Sequence, residues 1–250
     1  MLQALRRSLG SEALTLSGTT RWAWRAATLL WAAAVLILPL SLAVRFTAES
    51  GWWWERGFDQ YDAERRTGLP RAEVDRGAAA LRAYFHSDEE FATITVTNAQ
   101  GEAEPLFSER ELLHLRDVKW LLNRTYDAGW AALGFIVAYG LATLYWRRGS
   151  VRRAFGWAAL QAGVAIIAVI VALGVIALTG FDAAFRQFHL LFFTNDLWQL
   201  SADDRLIQMF PQDFFLETTL LIGGVVIGTA VALAALGWVM LRPAGGTARR

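Results

Sequence analysis

The chain has 250 residues, 55% of them hydrophobic, and a mean hydropathy of +0.31, which is more apolar surface than a soluble domain of this length divides among short segments. Its formal net charge of +1 conceals a segregation of charge along the chain. It contains no cysteine, which excludes disulfides, a thiolate nucleophile, Cys-ligated zinc and a lipid anchor on its own thiol.

Four stretches lack Asp, Glu, Lys and Arg: 26–44, 128–146, 154–181 and 218–241. A bilayer crossing needs roughly 20 such residues. These stretches predict four transmembrane helices, because a soluble alternative would need four long helices that are apolar on every face. The flanking segments 1–25, 147–153 and 242–250 carry eleven Arg and one acid, Glu12. Segments 45–127 and 182–217 carry thirteen Arg or Lys and twenty-two Asp or Glu. The positive-inside rule therefore assigns 1–25 as a cytoplasmic tail, 147–153 as a cytoplasmic turn and 242–250 as a cytoplasmic tail. Segments 45–127 and 182–217 are then extracytoplasmic, together with all three histidines, His86, His114 and His189. With no disulfide available, the outer part must be held by packing and by the membrane.

In chain order, the first span is rich in Ala and Leu, with Pro39 as a point of kinking. Ser41-Leu42-Ala43 loosely resembles a signal-peptide cleavage region, but the apolar run is too long for one, and a retained helix is expected. Trp52-Trp53-Trp54 reads as an interfacial anchor or as the border of a lipid-access route. Asp59 to Arg66 is strongly polar, Leu69-Pro70 ends an element, and Arg71 to Tyr84 reads as a helix. Ala92 to Thr97 alternates as a short strand does, and Asn98 to Gly101 supplies a turn. Ser108 stands three residues before Glu111, the spacing of a capping box, so a helix is expected to begin there and a separate membrane span near Ala128. Spans two and three form a hairpin through Arg147 to Ser150. In span four, Gly223-Gly224, Gly228 and Ala232 offer small residues for close helix contact. The predicted fold is an all-α membrane protein. It has four transmembrane helices, a small outward-facing, mostly helical domain between the first two, and an outer interfacial loop between the last two.

Two outer clusters carry chemistry. In Ser108 to Lys119, a helix places His114 and Asp117 on one face, where a carboxylate can orient an imidazole. The same spacing also suits a plain amphipathic surface helix. In the outer loop, Phe185, Phe188, Phe192 and Phe193 surround His189 on an amphipathic segment suited to the headgroup region. Thr194-Asn195-Asp196 breaks that segment, Trp198 and Leu200 return to the interface, Ser201 to Asp204 begins a short helical turn, and Pro211 precedes the last span. Such a loop also reads as an ordinary interfacial turn. Together, two histidines and several carboxylates at a lipid–water boundary suit general acid–base chemistry. Neither a metal motif nor a GxSxG nucleophile context is present.

The ordered pair FSERELLHLRDVK and FHLLFFTNDLWQLSADDRLIQMFPQDFF resembles the DUF1461 integral membrane protein family, which includes the lipoprotein intramolecular transacylases. The resemblance covers nearly the whole chain except Gly51 to Phe107, and His86 belongs to no matched motif. It implies an acyltransferase that moves the sn-2 acyl chain of an S-diacylglyceryl-cysteine to that cysteine's α-amino group, giving a lyso-form lipoprotein. The substrate's amine is the nucleophile, so no cofactor and no Ser or Cys of the enzyme is needed. The family's two essential histidines fall on His114 and His189, of which His189 is the expected base. Asp117 is expected to orient His114, Asn195 to donate to the ester carbonyl and Asp196 to accept from the amine or backbone N–H groups. Arg116 and Lys119 are expected to meet headgroups or peptide, and Phe188, Phe193 and Trp198 to shape the lipid site. The implied partners are diacylglyceryl-modified bacterial lipoproteins and membrane lipids, with no nucleic acid, acting on a monomer in the bacterial cytoplasmic membrane. A lipid or lipoprotein deacylase and a non-enzymatic scaffold or sensor remain the alternatives. Transport is disfavoured by spans without ionisable residues.

Overall fold

The computed structural model describes residues 18–146 and 150–243. The predicted tails 1–25 and 242–250 and the turn 147–153 lie partly outside them, and the Arg147-Arg148-Gly149 turn lies wholly outside. Four helices are long and apolar enough to cross a membrane: α1 (Gly18–Glu49), α5 (Glu109–Trp146), α6 (Val151–Thr179) and α9 (Gln212–Leu241). Between α1 and α5 come α2 (Gly51–Gln60), α3 (Ala63–Thr67), α4 (Arg71–Phe85) and the hairpin of β1 (Thr95–Thr97) and β2 (Ala103–Pro105). Between α6 and α9 come α7 (Phe181–Phe192) and α8 (Arg205–Met209).

The expected capping box is present. The Glu111 backbone N–H donates to Ser108 Oγ at 3.4 Å, and the Ser108 N–H donates to Glu111 Oε2 at 2.7 Å. The chain then runs on as one helix of 38 residues, not as a surface helix and a separate span. At about 57 Å it is far longer than a ~30 Å hydrocarbon layer. Its charge-free part is 128–146, so the turns carrying His114 project beyond it.

The bundle pairs α6 with α9 and α1 with α5. Ser41 Oγ donates to the Thr125 carbonyl at 2.9 Å, and Trp31 stacks on Tyr139 at 5.7 Å to join α1 and α5. The α6–α9 seam is built on different small residues from those expected. A Cβ on Gly237 would stand 2.5 Å from Leu160 N and 2.6 Å from the Gly156 carbonyl oxygen. A Cβ on Gly163 would stand 2.6 Å from the Ala230 carbonyl oxygen. By contrast Gly224 and Gly228 look onto open space, because they lie on a face that α6 does not cover.

At one end of the bundle the two inserted segments share a single core. Phe58, Leu69, Val74, Leu81, Val96 and Leu106 from the first meet Met209, Phe210 and Phe214 from the second. Each of these large side chains is nearly removed from water, worth roughly 1.5–3 kcal/mol apiece, so the segment between α6 and α9 is part of a packed body. The tryptophan triplet corrects the anchor reading. Trp53 and Trp54 are buried in this core, their indole N–H groups donating to Thr218 Oγ1 (3.1 Å) and the Thr47 carbonyl (2.8 Å), and only Trp52 is exposed. Arg56 and Gln60 reach across to Glu217 at 2.8 and 2.5 Å, tying α2 to the start of α9.

Candidate active site

His114 arises from α5 one turn after the capping box, on a stripe with Glu111 and Leu115 that faces inward. It is 6% exposed, as is His189, so neither is a polar filler on a surface helix. His189 arises from α7, whose amphipathic pattern turns Phe188, Leu191 and Phe192 outward and His189 inward. The two rings approach to 6.0 Å between centroids. Phe193, immediately past the end of α7, packs against both, at 5.4 Å from His114 and 5.5 Å from His189. Trp198 stacks on His189 at 4.9 Å, while Phe185 and Phe188 close its remaining sides at 4.3 and 5.4 Å. Phe192 instead packs on Phe188.

The hydrogen bonding of the pair is asymmetric. His189 Nδ1 lies 2.7 Å from the Phe185 carbonyl oxygen, one helical turn earlier. A carbonyl only accepts, so Nδ1 carries the proton and, in the neutral ring, Nε2 holds the free lone pair. Among the described residues, His114 Nδ1 is buried without a partner, as is Trp198 Nε1. A buried N–H left unpaired is rarer than an unpaired acceptor, so the favoured His114 tautomer keeps its proton on Nε2. The His114 pKa is lowered to about 4, chiefly by burial and then by the neighbouring His189, with Asp117 opposing the shift. Burial also lowers the His189 pKa, against the bond to Phe185. Both rings are therefore neutral at pH 7.

Asp117 does not bond the His114 ring. Its Oδ2 accepts from Asn195 Nδ2 at 2.8 Å, and Asn195 Oδ1 accepts from the Leu197 N–H at 3.0 Å. This pair bolts the segment between α7 and α8 to α5 beside the histidines. The Asp196 carbonyl accepts from Arg110 at 2.5 Å and its carboxylate from Gln199 at 3.0 Å, so Asp196 is an exposed member of the same bolt.

Two residues expected to meet headgroups or peptide have partners within the protein. Arg116 pairs with Glu90 at 3.1 Å and lies over Phe91, while Lys119 donates to the Glu89 carbonyl at 2.7 Å and lies over Tyr84. Helical geometry turns both well away from His114 and towards the loop after α4, where they have protein partners. His86 sits apart as well, 3.4 Å from Glu49. Sequence reading passed over two supports of the site. Glu111 Oε1 accepts from the Leu206 N–H at 2.7 Å, linking α5 to α8, and the Phe185 carbonyl sets the His189 tautomer. The second is a four-residue spacing on a helix and was open to inspection. Among the described residues no group of three His, Cys, Asp or Glu side chains is arranged to hold a metal ion.

A family model described as lipoprotein intramolecular transacylase Lit matches residues 29–215, three-quarters of the chain. The chain belongs to the Lit family. The fold of this Lit-family chain is similar to the solved structure of the membrane-integral lipoprotein intramolecular transacylase Lit from Bacillus cereus. That similarity has a TM-score of 0.69 at 19% identity, over 86% of this chain and 94% of that one. A variant of the Bacillus cereus protein with one histidine changed to arginine gives a TM-score of 0.64 at the same identity, over 86% of this chain and 91% of that one. In sequence, the chain is 26% identical to an uncharacterized protein of Aquifex aeolicus (strain VF5) over 195 residues, 75% of this chain and 83% of that one.

Proposed function

We propose that this Lit-family acyltransferase moves the sn-2 acyl chain of an S-diacylglyceryl-cysteine lipoprotein to the α-amino group of the same cysteine. The observation that carries this reading is the buried, neutral His114–His189 pair with opposed tautomers, beside a helix whose other face offers Phe188, Leu191 and Phe192 to lipid. In the reaction the amine nitrogen bonds to the ester carbonyl carbon, and the bond from that carbon to the glycerol oxygen breaks. One proton passes from nitrogen to oxygen. His189 Nε2, its lone pair free, takes the proton of the attacking amine. His114 Nε2–H donates a hydrogen bond to the carbonyl oxygen on which charge develops and keeps its proton. The proton that His189 took from the amine passes to the leaving glycerol oxygen as the carbon–oxygen bond breaks, and both rings end neutral. Asp117 and Asn195 hold the loop so that the rings stay opposed, and Asp196 with Arg110 holds its far side. Phe188, Phe193 and Trp198 line the approach and keep water low, which strengthens each of these bonds.

The charge pattern supports an orientation in which 45–127 and 182–217 face outward and both termini are cytoplasmic, so the site opens on the extracytoplasmic face. The test is to express the chain in a host whose lipoproteins stay diacylated and to sequence a lipoprotein N-terminus by tandem mass spectrometry. The expected result is one acyl group on nitrogen and one on glycerol, with unchanged total mass, for the wild type and for neither His114→Ala nor His189→Ala. Unmodified S-diacylglyceryl-cysteine with well-expressed wild type overturns the proposal, and loss of one acyl mass points to a deacylase instead.

A further inference from the structure

On the inner side of α7 lies a cavity of about 470 Å³ that the reaction above does not use. Two of its walls, Phe185 and Trp198, are also rings that touch His189, so the cavity lies next to the histidine pair on the far side of those rings. Phe210 and Phe215 continue the apolar lining. The polar lining is of a different character. Gln199 and Gln212 each donate Nε2 to a carboxylate, of Asp196 at 3.0 Å and of Asp182 at 2.5 Å. Both side chains are exposed, and the carbonyl oxygen of each has no protein partner among the described residues. Arg186, exposed on the same wall, has neither an ion pair nor a hydrogen bond among the described residues.

An S-diacylglyceryl-cysteine at the histidines extends in two directions, acyl chains and polypeptide. The outward face of α7 is the apolar one and is continuous with lipid. Acyl chains packed into the cavity would cover a guanidinium and two amide oxygens that nothing then satisfies. A polypeptide supplies what these groups lack: backbone N–H groups for the Gln carbonyls, and carbonyls or carboxylates for Arg186. We propose that this cavity receives the residues that come after the modified cysteine of the lipoprotein, and that Arg186 favours an acidic side chain among them. The proposal rests on the acyl-transfer reading and makes the chain selective among its lipoprotein substrates.

The test uses the full-length protein in detergent and synthetic S-diacylglyceryl-cysteinyl pentapeptides carrying Asp or Lys at the positions after the cysteine, in C14 and C18 acyl forms. For the wild type, kcat/KM is higher for the Asp peptides. Arg186→Glu shifts the Asp-to-Lys ratio by about fivefold or more towards Lys. Arg186→Gln, which keeps a polar side chain without charge, gives an intermediate ratio, and neither variant alters the C14-to-C18 ratio. An Asp-to-Lys ratio equal in wild type and Arg186→Glu overturns the proposal. So does a change confined to the C14-to-C18 ratio, which would mark the cavity as an acyl pocket. No acyl transfer by the wild type on any peptide is a separate result, the failure of the acyl-transfer reading itself.

Discussion

Replacing Glu111 by Gln tests whether one buried carboxylate holds the segment between α6 and α9 to the helix that carries His114. The side chain is 1% exposed, and each oxygen accepts a backbone N–H at 2.7 Å, from Ser108 at the start of α5 and from Leu206 at the start of α8. Hydrogen bonds to a charged acceptor contribute about 1.5–3 kcal/mol each. Glutamine keeps one acceptor and turns an NH2 group towards the other N–H, so one bond is lost and a buried donor is left facing a donor. The expected cost is about 2–3 kcal/mol. For a chain of this size each kcal/mol moves the midpoint by roughly 2–4 °C, so thermal unfolding in detergent should fall by about 5–10 °C. Glu111→Ala, which loses both bonds, should fall further. The control is Glu109→Gln on the exposed side of the same first turn, expected within about 0.5 kcal/mol of wild type. Acyl-transfer rate should fall with Glu111→Gln while its dependence on pH keeps its shape, because the histidines themselves are untouched. An unfolding midpoint within about 1 °C of wild type would refute the clamp and, with it, the claim that α8 is fastened through α5.

The site's pH response should come from the substrate. With His114 neutral down to about 4 and His189 also lowered, kcat/KM should rise with an apparent pKa near the substrate amine, about 8, and the limb should move when a less basic amine is supplied. A fixed limb at about 6.5 would contradict the burial of the pair. In the same terms, a lowered folded pKa means the unfolded chain binds more protons. The histidine contribution to stability is therefore full above about 6.5 and declines as pH falls towards about 4, which denaturation against pH can track. Gly237→Ala should destabilise by about 1–3 kcal/mol, because its Cβ meets backbone atoms of α6. Gly228→Ala, facing open space, should be neutral or slightly stabilising, a contrast that unfolding in detergent can read. Arg116→Ala and Lys119→Ala should each cost about 1 kcal/mol or less and leave kcat/KM as it is, since both side chains serve the loop after α4.

Features set by neighbours in the chain were legible in advance. The four spans come from runs without charge, the start of α5 from Ser108 and Glu111, and β1 with the turn after it from alternation leading into Asn98 to Gly101, although its partner β2 was not legible. Features set by partners far away were not. Trp53 and Trp54 sit beside a polar stretch and read as interfacial, yet Phe210 and Phe214, more than 150 residues on, make them core. Gly224 and Gly228 have the spacing of a helix seam, but which face meets α6 depends on the rotation of α9, which spacing does not encode. Within the site, both histidines and both members of the Asp117–Asn195 bond were named from sequence, but the bond itself spans 78 positions and was unreadable. The protein partners of Arg116 and Lys119 were equally unreadable, because residues close in sequence to a histidine on a helix point in other directions.

The ionisation of the pair bears on what kind of acyl chemistry this pocket supports. A hydrolase needs water at the ester, and its histidine gains by a pKa near the working pH, where it is a competent base towards water. Here both rings are 6% exposed and enclosed by Phe185, Phe188, Phe193 and Trp198, and burial drives their pKa values down. Such rings are weak bases towards water but sufficient for an amine that becomes strongly acidic once its nitrogen has joined the carbonyl carbon. A protonated ring of low pKa is in turn a strong acid and gives its proton readily to a departing alkoxide. In the proposed reaction, transfer to the free amine leaves the proton count unchanged, so the site starts and ends with two neutral imidazoles in the state that its burial favours. The dryness that would handicap hydrolysis thus favours moving an acyl chain between two atoms of one bound substrate.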